Sequence, residues 1–351
     1  MGEKVRHDRR TVVAAVAGAG CISSSAILVQ LAGQGAVTTA LFRCLLALPV
    51  LGVLAVVEAR RHGPRSLRAR SGAVLAGAFL AIDLVLWNHS IADVGAGAAT
   101  VLGNLQVVFV VVIAWAVLKE RPGTRVLAAL PVLGIGVVLV AGLLGRSSFG
   151  PHPLAGLAYG IGTSLAYAVF LLVLRNASSG ARHVAGPVAE VTAGATVASL
   201  VIGSAVGTMS LSPPWPAIGW LLALAMVSQV AGWLLITSSL PRLPAAVSSL
   251  LLLLQPAAAM VLAAVVLSER PTPWQIAGAV LVCLGLLLAV GPSPGAAGGN
   301  AAGPVAAGPV AAATEKSAQR YERDPAVDLA LDDLGRNAAG KTIRREMRQN
   351  R

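Results

Sequence analysis

The chain has 351 residues, of which 56% are hydrophobic and only 12% are charged. A soluble domain carries about 25% charged residues, and the charges here sit in short clusters between long apolar runs, so a soluble globular protein is excluded. The formal net charge of +12 does not indicate a nucleic-acid partner, because the basic residues lie beside the apolar runs and in the C-terminal tail.

Ten apolar runs follow one another along the chain, and each is long enough to cross a bilayer as a helix. About 20 residues at 1.5 Å rise span a hydrocarbon core of roughly 30 Å, and in lipid the backbone must satisfy its own hydrogen bonds. The first run has the length of a span rather than of a signal peptide, so it is interpreted as the first helix. The predicted spans are 11–31, 36–57, 72–91, 96–118, 124–144, 153–174, 187–207, 217–239, 244–267 and 273–291.

The placement of lysine and arginine predicts how these spans are oriented. With a cytoplasmic N-terminus, residues 1–10, 24 of the basic residues fall on the cytoplasmic side and two on the other, as the positive-inside rule requires. Residues 292–351 are predicted to be a disordered Gly/Ala/Pro linker and a charged cytoplasmic tail. The 23 arginines against four lysines, with abundant Ala, Gly and Val, indicate a GC-rich coding sequence and hence a bacterial cell membrane.

An internal repeat relates the two halves of the apolar region, 11–145 and 153–291. A shift of 149 residues aligns 101–140 with 250–289 without a gap and matches a glutamine, a Glu-Arg-Pro triplet and a glycine. The copies are five spans apart, and an odd number of spans places them upside-down relative to each other. We therefore expect an all-α integral membrane protein of ten helices in two inverted five-helix repeats, an architecture typical of alternating-access transporters.

Two short motifs resemble the EamA-type members of the drug/metabolite transporter superfamily. They are the segment 41–47 (Leu-Phe-Arg-Cys-Leu-Leu-Ala) and the Glu-Arg-Pro turns at 120–122 and 269–271, each followed about 15 residues later by a glycine. The resemblance covers roughly 11–290 and implies a ten-helix carrier, often an exporter of amino acids, nucleosides or other small polar compounds. Thr192 stands in the second copy where Arg43 stands in the first, so the implied site is asymmetric.

Three ionisable residues lie at membrane depth, where a charge costs at least ~2.5–3.5 kcal/mol and marks a functional candidate. Asp83 is predicted to bind a proton or a substrate, and the alternative is a structural ion pair with Arg43 between the second and third helices. Arg43 is predicted to anchor a substrate carboxylate, because its planar fork suits that geometry. Glu190 is a further candidate, although it is close enough to the interface for its carboxylate to reach water.

Four polar or aromatic residues complete the candidate substrate and coupling site. Trp87 lies one turn after Asp83 on the same helix face, and Asn104, Gln106 and Gln255 bring amides into apolar spans. Gln106 and Gln255 occupy equivalent places in the two repeats. These residues are predicted to line a central cavity. The alternative for Trp87 is that it packs in lipid or protein, and the alternative for the amides is that they bond between helices.

Several residues are predicted to shape helix ends and helix packing. Glu120 and Glu269 are expected to begin the fifth and tenth helices, with prolines 122 and 271 in their first turns. The pairs Gly156/Gly160 and Gly203/Gly207 are expected to form small-residue packing faces.

These patterns favour a secondary active transporter, working by alternating access and exporting small polar metabolites with proton coupling. No nucleotide-binding loop is present, so a gradient or exchange must supply the energy. A catalytic activity, a metal site and a cofactor are not expected, because no nucleophile–base set or metal-ligand spacing occurs. The expected partners are a small-molecule substrate, the lipid bilayer, protons and, as an open possibility, a second copy of the chain. A non-transporting membrane sensor or scaffold on a transporter fold is the alternative.

Overall fold

The computed structural model describes residues 9–118, 124–141, 152–177, 183–239, 243 and 245–290. Within these ranges the chain is mainly helical, with short turns and loops, and contains no strand. The predicted linker and tail, 292–351, and Glu120 lie outside the described residues. The helices are α1 Arg9–Ser23, α2 Ser25–Ala32, α3 Ala36–Leu45, α4 Leu48–His62, α5 Leu67–Val94, α6 Ala96–Gly103, α7 Gln106–Leu118, α8 Thr124–Val140, α9 Pro153–Ala177, α10 Ala185–Val206, α11 Ala217–Leu224, a π-helical segment Ala225–Gly232, α12 Trp233–Ser239, α13 Ala245–Val266 and α14 Pro273–Val290.

Seven helical stretches in the described residues are long and apolar enough to cross a membrane, and three shorter apolar helices accompany them. They coincide with the ten predicted apolar runs. The protein is therefore a multi-pass helical membrane protein, as predicted, while the ten crossings, the inverted relation of the two halves and the orientation stay predictions. The seven stretches are Arg10–Ala32, Ala36–His62, Leu67–Val94, Ala96–Ile113, Pro153–Arg175, Ala185–Val206 and Ala217–Ser239.

Several spans are broken near their middle rather than formed by one continuous helix. Between α1 and α2, the Ser24 hydroxyl donates to the Cys21 carbonyl at 2.8 Å, a local bond that competes with the helical ladder. Between α3 and α4, Pro49 has no N–H to donate and its ring crowds the preceding turn. Between α6 and α7, the Asn104 amide donates back to the Thr100 carbonyl at 2.8 Å.

Two pairs of helices are in backbone contact where glycines face each other. A Cβ at Gly77 of α5 would lie 2.2 Å from the Val191 carbonyl oxygen of α10, and one at Gly194 would lie 2.1 Å from the Val74 carbonyl oxygen. Gly136 of α8 and Gly278 of α14 approach each other's backbones in the same way. These glycines let helix axes come closer than any side chain would permit.

The predicted packing face on α9 is confirmed and the one on α10 is half wrong. Cβ atoms at Gly156 and Gly160 would lie 2.5 Å from Val94 and 2.8 Å from Leu102. Gly203 is also tightly packed, but Gly207 has nothing within 4 Å. Its φ of +71° places it in the left-handed region, and it ends α10 as a C-cap.

The prediction that Glu269 begins the tenth helix is wrong. Thr272 begins α14 through a reciprocal cap, in which the Gln275 N–H donates to the Thr272 hydroxyl at 3.2 Å and the Thr272 N–H donates to Gln275 Oε1 at 3.0 Å. This is the pattern of a capping box with Pro273 as the first helical residue. Glu269 is therefore free to serve another helix.

Candidate functional site

Arg43 is the centre of a buried polar cluster that joins three spans. Its side chain is 6% exposed, and its Nε donates to Gln229 Oε1 at 2.9 Å. Nη1 donates to the Ser25 hydroxyl at 3.0 Å and Nη2 to the Ser228 hydroxyl at 3.1 Å. Each nitrogen of the guanidinium thus donates to one neutral acceptor, and these contacts do not neutralise its charge.

Asp83 is buried on α5 near this cluster, but the predicted ion pair with Arg43 does not form. No Arg43 nitrogen lies within 4.0 Å of the Asp83 carboxylate, and the described ion pairs belong to Glu190. The backbone oxygen of Asp83 accepts a bond from the Thr163 hydroxyl of α9 at 3.1 Å. Arg43 and Asp83 are close enough for their charges to interact, although the guanidinium does not contact the carboxylate.

The π-helical segment Ala225–Gly232 supplies Ser228 and Gln229 to Arg43. Successive residues of an α-helix point about 100° apart. A π-helical turn changes this spacing and is common at functional sites. In this segment the neighbouring residues Ser228 and Gln229 both reach Arg43. Gly232 lets this widened segment approach α1, since a Cβ there would lie 2.9 Å from Ile22 Cγ1.

Gln229 also connects the cluster to α10. Its Nε2 donates to the Thr192 hydroxyl at 3.0 Å, and both residues are fully buried. Sequence reasoning missed Gln229, Ser228 and Ser25. The signal that could have found Gln229 is an amide in the middle of an otherwise apolar run.

A small cavity opens beside Gln229 and Thr192. It extends between α9, α10 and α12 toward the end of the bundle at which α10 begins. Its wall is mainly apolar and includes one indole, and the lining residues are Leu174, Pro187, Val188, Val191, Thr192, Gln229, Trp233 and Thr237.

The remaining mid-span candidates do not hydrogen-bond with Arg43 or Asp83. Trp87 packs against the apolar core and lies 3.9 Å from the Cβ position of Gly103. Asn104 bonds within its own helix. Gln106 and Gln255 are half-buried at the start of α7 and in the middle of α13, and the Gln255 backbone carbonyl accepts from the Ser23 hydroxyl at 3.3 Å.

Glu190 belongs to α10 and lies beside the start of α5. It forms ion pairs with Arg65 and, at 3.4 Å, with Arg70. At the same end, Glu58 accepts from the backbone N–H groups of Val184 at 2.6 Å and Gly186 at 2.7 Å, and so caps α10.

Glu269 caps a helix beyond the other end of α5, as Glu58 caps α10 near its start. Its Oε1 accepts from the N–H of Ala96, the first residue of α6, at 3.0 Å. The same oxygen accepts from Gln30 Nε2 at 3.3 Å. Gly95 makes room for it, because a Cβ there would lie 3.2 Å from this oxygen. Ser268, with a φ of +55°, turns the chain so that Glu269 can reach α6.

Buried charge and amide groups within a bundle of apolar helices define a polytopic membrane protein with a polar site inside the bilayer. The model of the EamA-like transporter family matches residues 9–142 and again 154–291. The chain therefore belongs to the EamA-like transporter family.

Comparison with known structures supports the fold alone. A solved chain, described only as "Crystal structure of protein", superimposes with a TM-score of 0.53 over 80% of this chain and 96% of that chain, at 15% sequence identity. No curated protein matches the sequence significantly.

Proposed function

We propose that this protein is a secondary active transporter that exports small polar metabolites, such as amino acids, in exchange for protons. The observation that carries the proposal is the Asp83 carboxylate, which is buried within a span and has no ion-pair partner among the described residues. An ionisable group in that position is functional by default, because burying it has a large free-energy cost.

Arg43 is the proposed anchor for an anionic group of the substrate. A guanidinium has five N–H groups, and three hydrogen bonds to Gln229, Ser25 and Ser228 leave two donors over. Those donors, with the nearby charge of Asp83, suit a molecule that carries both a carboxylate and an amine. Trp87, Asn104, Gln106 and Gln255 are proposed to contact the substrate or the coupling proton in another state of the carrier.

Alternating access gives the contacts at the two ends of α5 a role. The 28 residues of α5 are about 42 Å long at 1.5 Å per residue. The Arg65–Glu190 pair lies at its start and the Glu269 contact with α6 just beyond its end. In the proposed cycle of two inverted five-helix repeats, 11–145 and 153–291, each contact opens while the other is closed.

The proposed setting is a bacterial cell membrane, with both termini in the cytoplasm. The basic residues at the α4–α5 turn then face the cytoplasm, and the site opens in turn to each side. Export needs only a proton gradient, so no nucleotide-binding domain enters the cycle.

Purified protein in liposomes tests this proposal. Vesicles would be loaded with single amino acids or nucleosides and scored for saturable, labelled counterflow. We expect one chemical class to exchange, and Arg43→Lys to raise its KM more than it lowers the maximal rate, because lysine keeps the charge and loses the fork. No exchange of any class with folded protein would contradict the proposal and favour a non-transporting sensor.

A further inference from the structure

The turn between α4 and α5 presents arginines that pair with no acidic side chain of the described residues. Arg60 and Arg61 lie in the last turn of α4, and Arg68 lies in the first turn of α5; all three are exposed. Across the described chain, none of the three has a carboxylate within 4.0 Å. We call Arg60, Arg61, Leu67 and Arg68 the turn surface.

The acidic residues nearest to the turn surface already have partners. Glu58 uses both oxygens to cap α10, and Glu190 pairs with Arg65 and Arg70. The positive charge of the turn surface is therefore not balanced within this part of the protein.

Exposed apolar side chains continue directly from the turn surface along both helices. Val56 and Val57 on α4 are 54% and 42% exposed, and Val74 and Leu75 on α5 are 43% and 56% exposed. Such positions on a membrane-spanning helix face acyl chains. The turn surface therefore lies where the hydrocarbon ends and the lipid headgroups begin.

Leu67 gives the turn surface an apolar element among its charges. It is 80% exposed, directly after the N-cap Ser66, whose hydroxyl accepts from the Ala69 N–H at 3.3 Å. A leucine held this way at the interface can enter the bilayer surface, while neighbouring arginines remain at headgroup level.

We propose that the turn surface binds an anionic phospholipid. Arg60, Arg61 and Arg68 contact its phosphate and headgroup, because guanidinium groups form charge-assisted, paired hydrogen bonds with phosphate oxygens. Leu67 and the exposed valines of α4 contact the acyl chains. The inference is independent of the proposed substrate and coupling.

Full-length protein in detergent, titrated with phosphatidylglycerol or phosphatidylcholine, tests the proposal through bound lipid counted by native mass spectrometry. We expect wild type to prefer phosphatidylglycerol. The triple variant Arg60→Gln/Arg61→Gln/Arg68→Gln should lose at least about tenfold of that preference, since each basic residue near an anionic surface contributes about a further fivefold. The matching triple lysine variant should keep part of it.

Arg270→Gln is the matched control, because Arg270 is exposed beside Glu269, at the other end of the bundle. It should bind phosphatidylglycerol as wild type does. If the triple variant does not fold, the single glutamine variants carry the test, each with a smaller loss. Equal binding of the two lipids by wild type, or an unchanged preference in the variants, would overturn the proposal.

Discussion

Arg43 and Thr192 are joined by a single side chain. Gln229 accepts from Arg43 Nε at 2.9 Å and donates to the Thr192 hydroxyl at 3.0 Å. The repeat alignment makes Arg43 and Thr192 counterparts in the two halves of the sequence. The asymmetry at this position is therefore bridged by an amide, which can accept from the cation on one side and donate to the hydroxyl on the other.

Gln229→Leu should destabilise the protein through this bridge. The leucine leaves Arg43 Nε and the Thr192 hydroxyl without their described partners in a buried site, and each unsatisfied group costs about 1–3 kcal/mol. We expect a clear fall in the thermal unfolding temperature in detergent. Gln106→Leu is the control, because no described hydrogen bond involves the side chain of Gln106, and equal effects of the two changes would show that the bridge contributes nothing.

Gly194→Ala should weaken the contact between α5 and α10. The added Cβ would lie 2.1 Å from the Val74 carbonyl oxygen, so the helices must separate, at a cost of about 1–3 kcal/mol. Gly52→Ala is the matched control, since nothing lies within 4 Å of its Cβ position. Unfolding temperatures of both variants check the prediction, and a neutral Gly194→Ala would show that the close contact is absent.

Glu269→Ala should loosen the end of the bundle at which α6 begins. It removes the acceptor for the Ala96 N–H and the Gln30 amide, and loss of a helix N-cap costs about 1 kcal/mol. Glu269→Gln keeps an oxygen in place and should retain most of the unfolding temperature. An alanine variant as stable as the glutamine variant would remove Glu269 from its proposed role in closing this end.

Arg65 and Glu190 should respond to charge reversal as a pair. Arg65→Glu or Glu190→Arg alone places like charges together in a partly buried contact and should lower the unfolding temperature. The double reversal should recover part of the loss, because it restores an attraction, although Arg70 at 3.4 Å then opposes it. If the fall in unfolding temperature of the double variant equals the sum of the two single falls, the pair is not coupled.

The helices and the burial of Arg43 and Asp83 could be predicted from sequence, because long apolar runs fix both the helices and the depth of any charge within them. The partners of those charges could not. Ser25 and Gln229 reach Arg43 only because the preceding span and a span 186 residues away both pack beside α3, and α10 adds Thr192 through Gln229. Hydropathy carries no information about which spans become neighbours.

The role of Glu269 was mispredicted for a related reason. A carboxylate just before a proline and an apolar run is typical of a residue that begins the next helix. The local capping box of Thr272 already fills that position, and the left-handed turn at Ser268 directs Glu269 to α6 instead. Residue spacing alone does not show whether Glu269 or Thr272 begins the helix, because the contact of Glu269 with α6 depends on how the helices pack.

Substrate-driven proton movement across a liposome membrane tests the central claim most directly. A pH-sensitive dye inside the vesicles would follow protons while labelled substrate is counted, in wild type, Asp83→Asn and the control Asp93→Asn near the end of the same helix. We expect wild type and Asp93→Asn to move protons with substrate, and Asp83→Asn to lose proton movement. Proton movement unchanged in Asp83→Asn would contradict the account, because coupling would then not depend on the buried carboxylate.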